Sequence, residues 1–353
     1  MGIDGEPLMN RQFLLIRRPQ GEPVPADFQL VETPVPATPP GGFVIRNHFA
    51  SLDPAQRGWM DPHDSYMPPI ALGAPVRAMT VGRVHASDNP DYAPGDWVLG
   101  LNALEDYTVV DSGRVDLLVR SGGFTRKLDV SFVPSPTMFL SGFGAVGLTG
   151  YFGVLEALRP KAGETMLVSG AAGAVGSIVG QIGRMQGARM IGIAGGAEKC
   201  RRLTADFGYD IAIDYKGKSQ RALIAEIASA APGGVDMVFE NVGGDILDAA
   251  LMNIAQRGRI LLCGLISEYN ALGPVGARNI WNLIVRQANM FGFLVTDYIE
   301  QYDEAGRQMA QWFAEGKVKV EEDIQSGLEY AYPAFMRLFS GANTGKLILK
   351  IAD

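Results

Sequence analysis

The sequence predicts an α/β protein with two domains, one mostly β and one built on a doubly wound parallel sheet. Its 353 residues are more than one typical domain needs. Short β-like runs separated by proline and glycine fill the first third of the chain, whereas strands alternate with helices in the middle. A glycine-rich stretch stands where this alternation begins.

Residues 10–135 contain short apolar or β-branched runs that predict strands. These runs are QFLLIRR, FQLVETPVP, GFVIRNHFASLDP, RAMTVGRVHAS, DWVLG and DYTVVDS. Proline and glycine cluster between them, as in PVPATPPGG, which is a poor strand and a good loop. We therefore expect a mostly antiparallel, barrel-like β domain.

From about residue 140, predicted strands and helices alternate. The predicted strands are ETMLVSG, ARMIGIAG, IAIDYK, VDMVFENVG, GRILLCGLI and ANMFGFLV. The predicted helices are Val175–Gln186, Ala197–Phe207, Ser219–Ser229, ILDAALMNI and Tyr302–Glu315. This alternation indicates βαβ units and therefore a parallel sheet.

The end of the chain has the character of its beginning, because the tail GKLILKIAD again predicts a strand. We therefore expect the β domain to be discontinuous. Residues 1–138 and 317–353 would form it, and residues 139–316 would form the parallel-sheet domain.

Composition argues against several classes of protein. The formal net charge is −7 and no Lys/Arg block stands out, which argues against a nucleic-acid partner. No apolar run is long enough to cross a membrane, and we find no secretion signal. Two cysteines give no disulfide framework, which indicates a reducing, cytoplasmic compartment. The chain contains no CxxC or HExxH motif, so we expect no metal site.

Three glycines at a strand-to-helix junction predict a phosphate site. Gly170, Gly173 and Gly176 form G-x-x-G-x-x-G, and the absence of Cβ atoms lets the backbone turn sharply and approach a ligand closely. The amides at the start of the following helix suit a pyrophosphate. A tight turn that binds nothing is the alternative, but the alternation around it favours a dinucleotide site.

The turn after the second strand of this domain favours NADP(H). An NAD site places an acidic residue there for the ribose 2′-hydroxyl, whereas this chain has Ala194-Gly195-Gly196. Lys199 follows and would attract a 2′-phosphate. An ordinary solvent-exposed helix lysine is the alternative interpretation of Lys199.

Six segments along the chain carry a family resemblance. They are SLDPAQRGWM, GLTGYFGVLE, AAGAVGSIVGQIG, VFENVGGD, CGLISEYN and NTGKLI. From Arg11 onward the chain resembles the zinc-independent medium-chain dehydrogenase/reductases. Within them it is similar to the branch of prostaglandin reductases, leukotriene B4 12-hydroxydehydrogenase, plant double-bond reductases and bacterial curcumin reductases. The resemblance implies a GroES-like β-barrel domain and a Rossmann domain.

The resemblance also implies a set of cofactor residues. They are Gly173, Ala174, Val175, Gly176, Lys199, Tyr215, Asn241, Cys263, Gly264, Leu265, Ile266, Ser267, Tyr269, Phe293, Leu294, Val295 and Asn343. The first four would hold the pyrophosphate, and Lys199 and Tyr215 the 2′-phosphate. Asn241 could instead cap a turn, residues 293–295 could be only a core strand, and Cys263 is more often a packing residue than a nucleophile.

Two tyrosines are candidates for the chemistry. Hydride addition to the β carbon of an α,β-unsaturated ketone or aldehyde places charge on the carbonyl oxygen, which a phenol can stabilise. Tyr269 follows the strand ILLCGLI, at the carboxyl end where ligands bind in such sheets. Tyr66 in HDSYMPP is a candidate substrate-pocket residue. Alternatively, Tyr269 only packs on the cofactor and Tyr66 is an exposed loop aromatic.

The expected activity is NADPH-dependent reduction of an enone double bond in a small hydrophobic carbonyl substrate. An NADPH quinone reductase and a cofactor-binding protein with little turnover are the alternatives. The resemblance implies a homodimer paired through the edge of the Rossmann sheet near ANMFGFLV, where an open apolar edge strand would invite association.

Overall fold

The computed structural model describes residues 7–63, 65–112, 124–273 and 275–352. The strands, in chain order, are β1 (Met9–Leu15), β2 (Phe28–Pro34), β3 (Phe43–Ser51), β4 (Arg77–Ser87), β5 (Trp97–Ala103), β6 (Tyr107–Val110), β7 (Thr125–Lys127), β8 (Thr165–Val168), β9 (Arg189–Ala194), β10 (Ile211–Asp214), β11 (Val235–Glu240), β12 (Ile254–Leu262), β13 (Asn289–Gly292), β14 (Glu322–Ser326) and β15 (Lys346–Lys350).

The α-helices of the described residues are α1 (Gln56–Trp59), α2 (Ala145–Phe152), α3 (Ala174–Met185), α4 (Ala197–Asp206), α5 (Gln220–Ala230), α6 (Gly244–Met252), α7 (Trp281–Arg286), α8 (Tyr302–Ala314) and α9 (Ala331–Ser340). A π-helical turn spans Gly153–Leu158. Short 3-10 helices lie at Pro25–Asp27, Pro136–Phe139, Val295–Gln301 and Leu328–Tyr330.

The chain divides into two compact units. The first comprises residues up to 140, 323–342 and those from 347 on, and the second comprises Ser141–Glu322 and Asn343–Lys346. The second unit therefore reaches beyond residue 316. One cause is Gln181 of α3, whose side chain donates to the Lys319 carbonyl and accepts from the Lys319 amide, at 2.9 and 2.7 Å.

The first unit is an antiparallel β structure. Its larger sheet has the order β14-β15-β3-β4-β5-β7, and β6 pairs with β3, while β1 and β2 form a separate antiparallel pair. Strand β15 lies antiparallel to β3, so the chain end completes this sheet. Buried aliphatic and aromatic side chains form its core, among them Leu15, Leu52, Met60, Leu347 and Leu349.

The SLDPAQR segment has a structural role in the first unit. The Gln56 side chain accepts from the Asp53 amide at 2.9 Å and donates to the Arg77 carbonyl at 2.8 Å. The buried Arg57 guanidinium donates to the Gly21 carbonyl at 3.0 Å and pairs with Asp61 at 2.7 Å. These bonds fix the chain on the way to Tyr66.

The second unit contains the predicted parallel sheet. Its strand order is β10-β9-β8-β11-β12-β13, and every pair of neighbours is parallel. From β8 the chain adds β9 and then β10 on one side. It then crosses to the other side of β8, where it adds β11, β12 and β13. The predicted fold class, a GroES-like β domain and a Rossmann domain, is confirmed.

The predicted strand ANMFGFLV is shorter than expected. Strand β13 pairs with β12 and ends at Gly292, opposite Leu262, where β12 itself ends. The Phe293 amide still donates to the Leu262 carbonyl, but the ladder goes no further among the described residues. A 3-10 helix begins at Val295, so Phe293 and Leu294 connect the strand to this helix, and the interpretation of Phe293–Val295 as a core strand is wrong.

Glycine 180 lets α3 pack closely against the chain after α4. A Cβ atom at this position would lie 2.6 Å from the Phe207 carbonyl oxygen and would overlap the ring of Tyr209. Gly306 in α8 is also helical, but a Cβ there would meet nothing within 4 Å.

This pair gives a stability prediction. We expect Gly180→Ala to destabilise the protein by about 1–3 kcal/mol because it overpacks the core. Gly306→Ala should instead stabilise it by up to about 1 kcal/mol, since alanine favours a helix. Urea denaturation of both variants is the measurement, and an unchanged midpoint in Gly180→Ala would contradict this account of the packing.

Candidate functional site

The residues predicted to bind a cofactor lie on one edge of the parallel sheet. Parallel strands all end on the same side, and ligands bind there at the point where the strand order reverses. In this sheet the reversal lies between β8 and β11. The segments that follow the six strands contain, in chain order, Gly170–Gly176, Lys199, Tyr215, Asn241, Cys263–Tyr269 and Phe293–Val295.

The glycine loop after β8 forms a narrow cradle. Gly170 has a φ of +57°, and its carbonyl accepts from the Gly173 amide at 2.9 Å. A Cβ at Gly176 would lie 2.5 Å from that same carbonyl oxygen, so only glycine fits there. The first amides of α3 have no acceptor within the helix, and its N-cap, Gly173, offers no side chain. Such amides fit a pyrophosphate.

Tyr209 supports this cradle from inside the unit. Its hydroxyl donates to the Gly176 carbonyl at 2.6 Å, and its ring is buried against Gly180 and Gly192. Burial raises the pKa of Tyr209 well above the usual value for tyrosine, so the hydroxyl stays protonated as a donor. Nothing in the local sequence around Tyr209 marks this contact.

A short piece of the chain end joins the glycine loop. Gly345 forms a parallel bridge with Gly173, and both residues belong to the second unit. The Asn343 side chain donates to the Gly345 carbonyl at 3.0 Å, and the Lys346 amide donates to the Glu321 carbonyl at 2.8 Å. Asn343, predicted to reach the cofactor from the tail, is therefore bonded to the residue that bridges to the glycine loop.

A hydrogen bond from Gly196 to Asp214 joins the turn after β9 to the end of β10. Asp214 accepts from the amides of Gly196 and Lys216 at 2.8 and 3.0 Å. The Tyr215 ring and the Lys216 stem both lie against Gly195, because a Cβ there would meet each of them at 3.0 Å. Sequence reasoning selected Tyr215 and missed Lys216, a cation whose side chain lies beside this glycine.

The acidic residue next to Lys199 is engaged elsewhere. Glu198 forms an ion pair with Arg201 at 2.6 Å on the exposed side of α4. The Arg201 guanidinium lowers the pKa of Glu198. Glu198 therefore does not take the place of the missing acid after β9.

Asn241 joins the ends of β8 and β11. Its side-chain amide donates to the Ser169 carbonyl at 2.7 Å, and its backbone amide donates to the Ser169 hydroxyl at 2.7 Å. The preceding residue, Glu240, is a fully buried acid that no sequence motif led us to select. Asn241 thus has a structural role, and any contact with a cofactor would be additional to it.

The segment Cys263–Tyr269 follows β12 and is held against the loop after β11. The Ile266 amide donates to the Asn241 carbonyl at 3.2 Å, and the Ser267 amide donates to the Val242 carbonyl at 2.9 Å. Burial raises the pKa of the Cys263 thiol to about 12, so the thiol stays protonated at neutral pH. This supports packing rather than nucleophilic chemistry for Cys263.

Tyr269 folds back over its own loop. Its hydroxyl oxygen accepts from the Leu265 amide at 3.1 Å, which leaves the phenolic proton available for donation. Burial raises the pKa of Tyr269, so the proton is retained at neutral pH. The geometry therefore suits a neutral hydrogen-bond donor.

Phe293 is anchored by other aromatic rings of the second unit. Its ring centroid lies 5.8 Å from that of Tyr298, which stacks on Phe152 at 4.6 Å. The Phe293 amide donates to the Leu262 carbonyl at 3.1 Å, which fixes the start of the segment beside the end of β12.

Tyr66, the second tyrosine candidate, belongs to the first unit. Its side chain is 41% exposed, and its ring contacts that of Trp59 edge-on at a centroid distance of 6.4 Å. All the other predicted site residues belong to the second unit.

The described parts of the chain show neither a metal-binding cluster nor a membrane-spanning helix. Among these residues, no three or more His, Cys, Asp or Glu side chains are grouped so that they could hold a metal ion. No helix formed by them is long and apolar enough to cross a membrane.

Comparison with known proteins gives matches over almost the whole chain. The family model described as the N-terminal domain of oxidoreductase matches residues 11–118, and the model described as zinc-binding dehydrogenase matches residues 174–314. The chain is 39% identical to the NADPH-dependent curcumin reductase of Escherichia coli, covering 97% of each chain. It is 35% identical to the NADP(+)-dependent 2-alkenal reductase of Nicotiana tabacum, covering 98% of this chain and 99% of that protein.

Solved structures agree with these matches. The crystal structure of CurA from Vibrio vulnificus in complex with NADPH has a TM-score of 0.88 and 36% identity, covering 97% of this chain and 99% of that one. Escherichia coli quinone oxidoreductase, at 22% identity and a TM-score of 0.75, shares the fold.

The fold and the glycine cradle define a two-domain protein with a dinucleotide-binding unit. The chain belongs to the medium-chain dehydrogenase/reductase family, in its zinc-independent branch of curcumin reductases.

Proposed function

We propose that this protein reduces the carbon–carbon double bond of α,β-unsaturated ketones and aldehydes with NADPH. The protein is an NADP-dependent oxidoreductase, and its cofactor is NADP(H). The observation that carries the proposal is the cradle at Gly176, where a Cβ would lie 2.5 Å from the Gly170 carbonyl oxygen, at the start of α3, whose first amides have no acceptor within the helix. The relatives named as curcumin and 2-alkenal reductases support the enone as the substrate class.

Residues of the second unit would hold the cofactor. Amides of Gly173–Gly176 bind the pyrophosphate, and Lys199 and Tyr215 bind the 2′-phosphate beside the acid-free turn after β9. The remaining residues, Asn241, Cys263–Tyr269, Phe293–Val295 and Asn343, surround the nicotinamide and its ribose. When bound, NADPH supplies the hydride that adds to the β carbon.

Tyr269 would act on the substrate oxygen. Negative charge develops on the carbonyl oxygen as hydride adds, and a protonated phenol can donate a hydrogen bond to it. The Tyr269 hydroxyl keeps its proton at neutral pH because burial raises its pKa. The hydroxyl oxygen accepts from the Leu265 amide, so that hydrogen bond does not use the phenolic proton. Tyr66 would contribute to the substrate pocket through its exposed ring.

We place the protein in the cytoplasm, since both cysteines, Cys200 and Cys263, are free thiols. The substrate class is a small hydrophobic carbonyl compound, because the relatives act on such compounds by name.

We also propose a homodimer formed through the edge of the parallel sheet. Strand β13 is the edge strand, and α7 directly before it exposes Trp281 and Ile284, which are 68% and 67% accessible in the single chain. An open edge strand beside exposed apolar side chains favours association with a second copy.

Cofactor preference is the first test. Lys199→Ala should raise the KM for NADPH about tenfold or more and change that for NADH less than about twofold, because only NADPH carries the 2′-phosphate. Lys317→Ala removes another lysine of the second unit, one that pairs with Glu315. That control should leave both constants unchanged. Equal effects of Lys199→Ala on the two cofactors would refute its assignment.

The reaction itself is tested with NADPH deuterated at the transferred position. Deuterium should appear on the β carbon of the saturated product by NMR, whereas an allylic alcohol labelled at the carbonyl carbon would refute the reaction class. Turnover of quinones alone would favour the quinone reductase alternative. NADPH binding with no turnover of either class would favour the cofactor-binding alternative.

Tyr269→Phe should lower kcat by roughly 10²–10³-fold with little change in NADPH affinity, the effect expected when one oxyanion donor is lost. Tyr330→Phe, in the exposed part of the first unit, is the matched control and should leave kcat unchanged. A wild-type kcat in Tyr269→Phe would show that this hydroxyl does not act on the substrate.

The dimer is tested by light scattering at micromolar concentration. The wild type should have twice the mass of the 37.9 kDa chain, and Ile284→Asp should shift it towards the monomer, because the aspartate places a charge in the apolar contact. Leu72→Asp alters another exposed aliphatic side chain, in the first unit, and should leave the mass unchanged. A monomeric wild type would contradict the proposal.

A further inference from the structure

A buried carboxyl group lies at the centre of the strand ends described above. Glu240 is the last residue of β11 and has no exposed surface. Its Oε1 accepts three hydrogen bonds, from the Ser169 hydroxyl at 2.6 Å and from the amides of Val242 and Gly243 at 2.7 Å each. Its Oε2 is buried without a hydrogen-bond partner among the described residues.

The same residue contacts three loops. Its carboxyl group reaches Ser169, directly after β8, and the turn at Val242 and Gly243 after β11. Its backbone carbonyl accepts from the amides of Cys263 and Gly264 after β12, at 2.9 and 3.1 Å. The glycine cradle, Asn241 and the Tyr269 segment are therefore all connected through one residue.

This arrangement is poorly explained as packing alone. Burying a carboxyl group with one oxygen unpartnered is unfavourable, and the neighbouring side chains of β11, Val238 and Phe239, fill the interior with apolar atoms. Removing the carboxyl would leave the buried Gly243 amide and the half-buried Val242 amide without this acceptor, and leaving a buried donor unsatisfied costs more free energy than a hydrogen bond contributes. The carboxyl thus fixes the backbone of the loops.

We propose that Glu240 is a positioning residue for the cofactor, which holds the loops after β8, β11 and β12 in one geometry before NADPH binds. This rests on the proposed function, since it assumes that these loops bind NADPH. A site whose loops are already ordered binds its ligand more tightly, because the ligand does not have to order them. Glu240 itself touches neither cofactor nor substrate.

Asp248 provides a matched control. It is also a buried carboxylate of the second unit, and it accepts from the Arg278 amide and guanidinium at 2.7 and 2.6 Å and from the Asn279 amide at 3.1 Å. It lies in α6 and orders the chain before α7 instead of the strand ends. Loss of Asp248 should therefore reduce stability as loss of Glu240 does, with no effect on the cofactor loops.

The experiment measures NADPH dissociation constants by fluorescence titration and unfolding midpoints in urea. Glu240→Ala should weaken NADPH binding about tenfold or more, whereas Glu240→Gln keeps an acceptor at Oε1 and should bind within about threefold of the wild type. Asp248→Ala should bind NADPH as the wild type does. Equal weakening of NADPH binding in Glu240→Ala and Asp248→Ala would overturn the proposal, because general destabilisation of the protein would then explain both results.

Ser169→Ala tests the same contact with a smaller change, in case Glu240→Ala does not fold. It should weaken NADPH binding by several-fold. Combined with Glu240→Ala, it should weaken binding by less than the sum of the two single changes in binding free energy, since the Ser169–Glu240 hydrogen bond is lost in each variant. Additive effects, or wild-type affinity in Ser169→Ala and Glu240→Ala, would overturn the proposal.

Hydrogen exchange of the cofactor-free protein separates this proposal from the proposed function. Glu240→Ala should speed exchange of the amides in all three loops, and Asp248→Ala should not. Unchanged exchange would overturn the positioning role. A wild-type protein that fails to bind NADPH would overturn the proposed function, and the titration of the wild type alone reveals that result.

Discussion

The hydrogen bond from the Ser169 hydroxyl to the Glu240 carboxyl joins the two strands between which the sheet order reverses. Two parts of the predicted site, the glycine loop and Asn241, start directly next to the residues of that bond. The glycine loop begins beside Ser169, and Asn241 follows Glu240 and returns two hydrogen bonds to Ser169. A parallel sheet only brings its strand ends to a common side. This contact makes two of those ends a single rigid surface.

Close packing explains why the loop and the helix behind it are rich in glycine. At Gly176 the constraint is the neighbouring Gly170 carbonyl, and at Gly180 it is the chain around Tyr209. The two glycines are one turn apart on the same helix, and the Tyr209 hydroxyl donates to the Gly176 carbonyl. Tyr209 thus contacts both the turn of α3 at Gly176 and the next turn at Gly180. The shape of the glycine cradle therefore depends on how the buried core packs around Tyr209.

Much of the fold could be predicted, because strand and helix periodicity is local and the alternation from residue 140 is regular. The position of the glycine loop followed from the same pattern. Glu240, Tyr209 and Lys216 were missed because their roles depend on partners distant in sequence, such as Ser169 for Glu240, or on packing against a glycine in another turn. The extent of the second unit beyond residue 316 depends on Gln181 and Lys319 in the same way.

The strand order of the first unit has a consequence for synthesis. Strand β15 lies between β14 and β3, and Ile348 pairs with Ser51. Strand β3 is therefore translated well before β15, its partner along residues 49–51. Until β15 is made, the edge of β3 that pairs with it stays open. The strands of the parallel sheet all come from Thr165–Gly292, so that sheet can assemble during this time. Order of translation thus allows the parallel sheet to be complete before the larger sheet of the first unit is, and it exposes β3 to aggregation during the interval.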